Sequence, residues 1–278
     1  MRYGFVLPDG NARDAADLAA VAETAGWDGF FVYEPVWGVD AWVALAAAAM
    51  RTERIRLGTL LSPLSQMRPW DFAGRAATVD DLSGGRVIVS VGLGAPDSGF
   101  AAFGEETDRR TRAELLDEAL DIVTGLWRGQ PFAYRGKHYT VEPFDRIVAP
   151  PPVQRPRIPI WVVGAWPRPR SMARALRYDG LLPYPMAADG TGQENTPVLI
   201  REMVDYVAAN RAGTTPFEIV VEGGDTPGDD PARAAAIVRP WAEAGATWWI
   251  ESRWSAHGTP GGLDVVRTRL AQGPPRFD

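Results

Sequence analysis

The segment RVIVSVG, Arg86 to Gly92, is nearly continuously apolar and rich in β-branched residues. A strand with one face in water alternates apolar and polar residues, whereas a strand of a parallel sheet covered on both faces reads as such a continuous run. The segment follows a helical pattern that starts at Pro69 and is closed by Gly84 and Gly85. Proline favours the first turn of a helix and glycine the position after its end. A helix followed by a buried parallel strand is therefore predicted here.

The same alternation continues in both directions along the chain. Apolar β-type runs are separated by segments with helical spacing and caps, and eight such units are the count of a (β/α)₈ barrel, an α/β TIM barrel. A doubly wound sheet is the alternative, but it more often stops at five or six strands. The remaining predicted strands are 3–7, 28–34, 55–61, 158–163, 179–183, 217–222 and 247–251, and the predicted helices are 11–25, 40–50, 69–82, 109–127, 170–177, 197–210, 231–244 and 262–271.

One segment, between the fourth helix and the fifth strand, does not follow the alternation of strands and helices. Residues 129–156 contain two short extended pieces around Arg135-Gly136, followed by the proline run Pro150-Pro151-Pro152. This pattern predicts a short hairpin excursion and a surface crossing. No linker of disordered composition divides the chain, so we expect residues 1–278 to form a single barrel domain.

Composition excludes several classes of site. The 278 residues include no cysteine and two histidines, with a net charge of −6. Thiolate metal sites, cysteine nucleophiles and three-histidine zinc sites are thereby excluded, and we expect no bound metal. The acidic balance argues against nucleic acid as a partner. No apolar run reaches 18 residues and Met1–Phe5 begins no signal peptide, so we expect a cytoplasmic protein that binds no membrane.

A (β/α)₈ barrel carries its active site at the C-terminal ends of its strands. Gly92, Leu93 and Gly94 follow the fourth strand and leave backbone accessible to a flat ring, or they only relieve turn strain. Gly164-Ala165-Trp166 is expected to open the fifth helix, with arginines at positions 168 and 170 close behind. Free amides at a helix start together with arginines form a phosphate site; a solvated basic helix start is the alternative.

Other side chains fall at the predicted mouth of the barrel. Glu34 ends the second strand, where it could act as a general acid or base or pair with a loop arginine. Trp37 and Trp254 lie in mouth loops and could line a substrate pocket, to which His257 is a further candidate. His138, in the hairpin excursion, is expected to be structural.

Several longer motifs carry a family resemblance. They are ERIRLGTLLSPL (53–64), RPWDFAGRAATVDDLSGGRVIVSVGLG (68–94), RAELLDEALDIVTGLWRGQPFAYRGKHYTV (112–141) and PPVQRPRIPIWVVGAWPRP (151–169). In this order and spacing the chain resembles the luciferase-like monooxygenases from its start to about Pro185. The resemblance implies a TIM barrel whose mouth holds FMN or the deazaflavin F420.

The resemblance also implies roles for individual residues. In this family the third strand ends in a non-proline cis peptide behind the flavin ring, which here falls within Thr59, Leu60 and Leu61, at the Leu60–Leu61 bond. Gly92 and Gly94 match the ring and ribityl contacts. The phosphate loop matches Val163, Gly164, Ala165 and Trp166, with Ala165 where many members have a second glycine, and Arg168 and Arg170 follow it.

One departure concerns the acid–base chemistry. Several family members carry a histidine after the second strand, often preceded by an acidic residue; this chain reads Tyr33-Glu34-Pro35 and keeps only the acid. The resemblance then implies that Glu34 or a cofactor-bound water replaces the histidine, or that simple hydride transfer needs no such acid.

The implied activity is that of an oxidoreductase or monooxygenase. It would transfer hydride or activate O₂ on a small organic substrate, and the resemblance implies a homodimer. F420 is favoured over FMN because the basic residues are nearly all arginine, as in the GC-rich bacteria that make F420, and Arg68, Arg168 and Arg170 could bind its anionic polyglutamate tail. The alternative is a non-catalytic barrel that binds a flavin, F420 or another ligand.

Overall fold

The computed structural model describes residues 1–95, 98–144, 146 and 149–277. Eight parallel strands close into a barrel in the order β1-β10-β9-β8-β7-β4-β3-β2. The predicted TIM barrel is therefore confirmed. Its strands are β1 (Arg2–Leu7), β2 (Gly29–Val32), β3 (Arg56–Ser62), β4 (Val87–Val91), β7 (Ile160–Trp166), β8 (Gly180–Pro185), β9 (Glu218–Gly223) and β10 (Trp248–Ser252).

In the described part of the chain, eight α-helices cover the outside of the barrel. Polar side chains cap several of them: Asn11 and Asp14 form a reciprocal capping box at α1, and Thr196 and Asp230 cap α6 and α7 just before a proline. The caps read from the sequence thus start helices where expected. The helices are α1 (Ala12–Thr24), α2 (Ala41–Ala49), α3 (Pro69–Leu82), α4 (Arg109–Arg128), α5 (Pro169–Leu176), α6 (Pro197–Asn210), α7 (Pro231–Glu243) and α8 (Gly262–Ala271).

The expected excursion is a two-stranded antiparallel hairpin, β5 (Tyr134–Arg135) and β6 (Thr140–Val141). Glu118 of α4 accepts hydrogen bonds from the backbone N–H groups of Lys137, His138 and Tyr139. The ring of His138 lies 3.1 Å from Glu114, so this histidine fastens the hairpin to α4, as expected. Residues 145, 147 and 148 of the excursion lie outside the described part of the chain.

The prediction for the fifth strand needs one correction. Gly164-Ala165-Trp166 was expected to open the helix, but β7 continues to Trp166 and α5 begins only at Pro169. The reason is the neighbouring strand, because Gly164, Ala165 and Trp166 pair in register with residues 183–185 of β8. The parallel ladder therefore carries these three residues up to the rim of the barrel.

Two apolar layers define which way each strand residue faces. A large outer cluster fills the space between barrel and helices, and a smaller one fills the barrel itself. Because side chains alternate along a strand, residues two positions beyond an interior residue also face the interior. The interior cluster consists of Val6, Phe31, Leu60, Ile88, Trp161, Leu182, Val220, Trp248 and Ile250.

No helix of the described chain is long and apolar enough to cross a membrane.

Candidate functional site

One arc of the barrel mouth, formed by β3, β4 and β7, is apolar. Gly92 directly follows β4. Because Ile88 faces the barrel interior and side chains alternate, Ser90 and Gly92 are on the interior side as well. A Cβ added to Gly92 would lie 2.9 Å from Val163 Cγ2 and 3.3 Å from Leu61 Cδ2. Any larger residue here would therefore fill the space between these two side chains, and the glycine leaves that space open.

The end of β3 forms the back of this arc. The Leu60–Leu61 peptide bond is cis, at the bond that the resemblance indicated, and the pairing of β3 with β4 shifts register between Thr59 and Ser62. Leu60 is buried in the barrel interior, whereas Leu61 is only partly buried. Thr59 faces away from the mouth and is fully buried, with its hydroxyl bound to Ser62. Thr59 thus supports the arc from behind.

The loop after Gly92 is fixed through its backbone. Arg112 of α4 donates to the carbonyls of Leu93 and Gly94, and the Ser65 hydroxyl also donates to Leu93 at 3.1 Å. Gly94 has φ +81°, a conformation that favours glycine, and a Cβ there would lie 2.8 Å from Phe100. These contacts hold the loop rigidly beside the apolar arc.

Gly164 has a different reason to be a glycine. It lies between the interior residues Val163 and Ala165 and therefore faces outward, where a Cβ would overlap Leu181 and come within 3.0 Å of Met172 Sδ. The structure therefore explains Gly164 by close packing of β7 against β8 and α5. The adjacent Ala165 faces the mouth and is 6% exposed.

The N-terminus of α5 offers a limited set of hydrogen-bond donors. Proline at positions 167 and 169 removes two backbone N–H groups. The Ala165 amide donates to Ser171 Oγ at 2.9 Å, and the Arg168 amide donates back to the Ala165 carbonyl at 2.7 Å. The first-turn amides of Arg170 and Ser171 remain, since such amides have no partner within the helix. With the exposed guanidinium groups of Arg168 and Arg170, they form a donor cluster suited to an anion.

Trp166 and Arg68 each lie against an aromatic ring. The Trp166 ring packs edge-on against Tyr206 of α6, with centroids 5.3 Å apart. The Arg68 guanidinium lies 6.0 Å from the centre of the Trp70 ring, which in turn packs against Tyr139 of the hairpin. The structure therefore groups Arg168 with Arg170 at α5 and places Arg68 at the start of α3.

The opposite arc of the mouth is polar. By the alternation of the strands, Tyr33, Tyr184, Glu222 and Ser252 each lie two residues beyond an interior residue and face the mouth. Tyr184 is 46% exposed, and Ser252 donates to the Gly223 carbonyl at 2.8 Å. The mouth is thus divided into an apolar arc that contains a glycine and a polar arc that contains the carboxylate of Glu222.

Glu222 is the carboxylate of the polar arc. Its Oε1 accepts a hydrogen bond of 2.7 Å from Nε1 of Trp254. The surrounding protein reduces hydration and raises the pKa of the Glu222 carboxyl, while the hydrogen bond from Trp254 and the nearby Ser252 hydroxyl act in the opposite direction. Glu222 is exposed at the C-terminal end of β9, where the alternation of the strand directs its side chain towards the mouth.

Trp254 and His257 flank Tyr33 in the same arc. The Tyr33 ring packs edge-on against Trp254 at 5.5 Å and against His257 at 6.4 Å between centroids. Nδ1 of His257 lies 2.7 Å from the Pro8 carbonyl, so the imidazole is tied to the end of β1. The structure thus brings Trp254 and His257 together at the mouth, and their role as substrate-pocket residues stays a prediction.

Glu34 is turned away from the apolar arc. Its carboxylate accepts hydrogen bonds from the Ser62 hydroxyl and, at 3.0 Å, from Trp42 Nε1 of α2. Burial raises the pKa of the Glu34 carboxyl, and these two hydrogen bonds oppose the rise. Glu34 and Trp37 line a cleft of about 290 Å³ beside the mouth, and Trp37 is 82% exposed there. Within the described part of the chain no arginine nitrogen lies within 4.0 Å of Glu34, and Arg75 of α3, which lines the same cleft, acts on it only through its charge.

Sequence reasoning assigns no role to Glu222, Tyr33, Tyr184 or Arg112, although it places Tyr184 and Glu222 at the ends of their strands. The first three are identified only once the interior side of each strand is known, which a nearly continuous apolar run does not reveal. Arg112 reads as an ordinary helix residue, although it holds the Leu93–Gly94 loop. Among the described residues, no group of three or more histidine, aspartate or glutamate side chains is arranged to hold a metal ion.

Comparison with known proteins identifies several relatives. The family model described as luciferase-like monooxygenase matches residues 1–267. A Mycobacterium tuberculosis protein, provisionally named a coenzyme F420-dependent oxidoreductase, is 39% identical over 131 residues, which cover 46% of this chain and 36% of that protein. An F420-dependent glucose-6-phosphate dehydrogenase of Beutenbergia cavernae is 27% identical over 248 residues, which cover 84% of this chain and 70% of that protein.

A solved structure shares the fold. The coenzyme F420-dependent tetrahydromethanopterin reductase of Methanopyrus kandleri superposes with a TM-score of 0.78 at 18% identity, covering 98% of this chain and 96% of the reductase. At this identity the likeness concerns the barrel architecture and not the activity.

Proposed function

The chain belongs to the luciferase-like monooxygenase family, and on this basis we propose that it is an F420-dependent oxidoreductase acting on a small organic substrate at the C-terminal face of the barrel. FMN is the alternative cofactor. The F420-dependent enzymes among its relatives support F420. The observation that carries the proposal is the apolar arc with Gly92 at its centre, next to the donor cluster of α5.

The apolar arc fits a flat, largely apolar ring. Leu60, Leu61 and Val163 provide apolar surface, and Gly92 keeps the space between Leu61 and Val163 free of a side chain. Below the glycine, the buried Ser90 hydroxyl has no hydrogen-bond partner within the described part of the chain. The arc therefore offers shape and contact area, which are what a ring cofactor requires of its protein.

The α5 terminus fits the anionic part of such a cofactor. The amides of Arg170 and Ser171 and the guanidinium groups of Arg168 and Arg170 would hold a phosphate, and the same arginines could extend to a polyglutamate tail. In this arrangement Gly164 contributes close packing of β7, and Ala165 presents a small side chain to the mouth.

When bound, the deazaflavin ring supplies the site that accepts or donates hydride. The residues of the chain bind and orient: the apolar arc excludes water from one side of the mouth, and the Arg112-bound loop keeps that arc in place. Glu34 is held by Ser62 and Trp42 and thereby positions the ends of β2 and β3. Because Glu34 lines the cleft beside the mouth, it would have to act as an acid or base on a group that reaches into this cleft.

A titration of both cofactors tests this function. We expect F420 to bind with micromolar or better affinity, measured by quenching of its fluorescence, and FMN to bind more weakly. Gly92→Val should abolish binding because its side chain occupies the space between Leu61 and Val163, whereas Gly74→Ala, in open space on α3, should leave binding unchanged. Failure of both cofactors to bind folded wild-type protein would overturn the proposal. Binding without any hydride transfer across a substrate panel would favour the non-catalytic barrel.

We also propose that residues 1–278 form one catalytic domain that acts as a homodimer, as the family resemblance implies. Light scattering on the purified chain measures the mass directly, and a monomer of 30.3 kDa would contradict the dimer.

A further inference from the structure

We propose that the polar arc of the mouth binds a positively charged nitrogen, so that the substrate is an organic amine or the corresponding iminium ion, with Glu222 as its counter-ion. This inference rests on the proposed function for the identity of the reaction. The carboxylate and the rings around it support the binding site independently of any cofactor.

Glu222 is aimed into the mouth and is held in place. It lies two residues beyond the interior Val220, and in the β9–β10 register it is opposite Ile250, another interior residue. Trp254 Nε1 donates to Oε1 at 2.7 Å, which fixes the carboxylate and leaves acceptor capacity on both oxygens. A carboxylate fixed at the rim of a site is suited to contact a ligand there.

The charge of Glu222 has no counter-ion. Within the described part of the chain, no lysine, arginine or histidine nitrogen lies within 4.0 Å of it. Arg253, on the adjacent strand end, is paired instead with Asp225 at 3.5 Å. The other interior carboxylate of β9, Glu218, lies at the opposite end of the barrel and is paired with Arg2 at 2.8 Å. A cationic ligand would supply the counter-ion that Glu222 lacks among the described residues.

Aromatic rings lie beside this carboxylate. Trp254, 42% exposed, contacts Glu222 through its N–H and packs on Tyr33, which also packs on His257. Aromatic rings attract organic cations over their faces, and the attraction increases as the cation loses water. A neutral alcohol would gain the hydrogen bond to Glu222 but neither the ion pair nor the cation–ring attraction. This combination favours an amine over an alcohol of the same shape.

Binding of a probe pair tests the inference without turnover. Isothermal titration with benzylammonium and with its neutral counterpart benzyl alcohol compares wild type, Glu222→Gln and the control Glu142→Gln, whose carboxylate lies on the exposed hairpin. We expect benzylammonium to bind wild type and Glu142→Gln equally, and Glu222→Gln at least tenfold more weakly. Benzyl alcohol should bind wild type more weakly than the amine and be insensitive to Glu222→Gln.

Three results would overturn the inference: no benzylammonium binding to wild type at about 10 mM, equal binding to wild type and Glu222→Gln, or benzyl alcohol binding as tightly as the amine. A second variant, Trp254→Phe, keeps a ring but removes the N–H donor, so it should weaken amine binding less than Glu222→Gln does. If Glu222→Gln fails to fold, benzylammonium binding to Trp254→Phe still tests the inference. F420 titration of the same samples separates the two proposals, because wild type that binds F420 but not benzylammonium rejects only the amine.

Discussion

Arg269 of α8 and Glu251 of β10 form a fully buried, two-pronged ion pair, with Nε 2.7 Å from Oε1 and Nη2 2.8 Å from Oε2. Thr226, in the loop after β9, joins the pair by donating to Glu251 and accepting from Arg269. One polar cluster therefore connects β10, α8 and the β9–α7 loop directly behind Glu222 and Ser252.

Removing one partner of this pair should strongly destabilise the protein. Glu251→Gln leaves the Arg269 cation buried without its counter-ion, and we expect a loss of about 3–5 kcal/mol in the free energy of unfolding, measured by urea denaturation. Glu142→Gln, which breaks the exposed pair with Arg135, should change it by less than about 1 kcal/mol. The double variant Glu251→Leu/Arg269→Met should recover part of the loss, since it leaves no buried charge. Equal effects of Glu251→Gln and Glu142→Gln would contradict this account.

The barrel is readable from the sequence because its signals are local. Cap–proline pairs such as Asp230-Pro231 and the continuous apolar run of β4 depend on near neighbours alone. Gly164 is a residue whose role the neighbouring sequence does not predict. Its motif resembles a ligand-binding glycine, but its small size is required by Leu181 on the next strand. Glu222 shows the converse, since it becomes a site residue only when register directs it inward. Contacts between strands decide both cases, and no short segment encodes them.

Glu34 should reduce stability at neutral pH relative to a neutral isostere. Burial raises its pKa in the folded protein above the value in the unfolded chain, so the folded state binds the proton more tightly. Protonation of Glu34 therefore adds to the free energy of unfolding as pH falls towards about 4.5, the pKa of this carboxyl in the unfolded chain. This contribution is lost as pH rises through the pKa of the folded protein. Each unit of difference corresponds to about 1.4 kcal/mol.

Urea denaturation of wild type and Glu34→Gln at about pH 5 and pH 7.5 measures this effect. The stability of Glu34→Gln relative to wild type should be greater at pH 7.5 than at pH 5. Glu105→Gln, an exposed carboxylate beside the same cleft, serves as the control and should show no such trend. A relative stability of Glu34→Gln that falls with rising pH would show that its hydrogen bonds outweigh burial.

Alanine at the two glycines should separate binding from packing. At position 164 the new Cβ overlaps Leu181, and we expect a loss of about 1–3 kcal/mol in stability. At position 92 the closest atoms are the ends of the Val163 and Leu61 side chains, which can move into the mouth, so the loss of stability should be smaller but F420 affinity should fall about tenfold. Thermal unfolding and fluorescence titration on both variants distinguish them. The reverse pattern would move the cofactor contact from Gly92 to Gly164.

Arg168 and Arg170 should contribute to cofactor affinity and not to stability. Both side chains are exposed at the start of α5, so replacing either with alanine should change the free energy of unfolding by no more than about 0.5 kcal/mol. If they hold the phosphate or tail of F420, each substitution removes a charge-assisted contact and should weaken binding about tenfold. The weakening should shrink at high salt, because ions screen the attraction between exposed charges. Arg201→Ala on the exposed face of α6 is the control and should bind as wild type does. An unchanged dissociation constant in the Arg168→Ala/Arg170→Ala double variant at low salt would show that the anionic part of the cofactor binds elsewhere on the mouth.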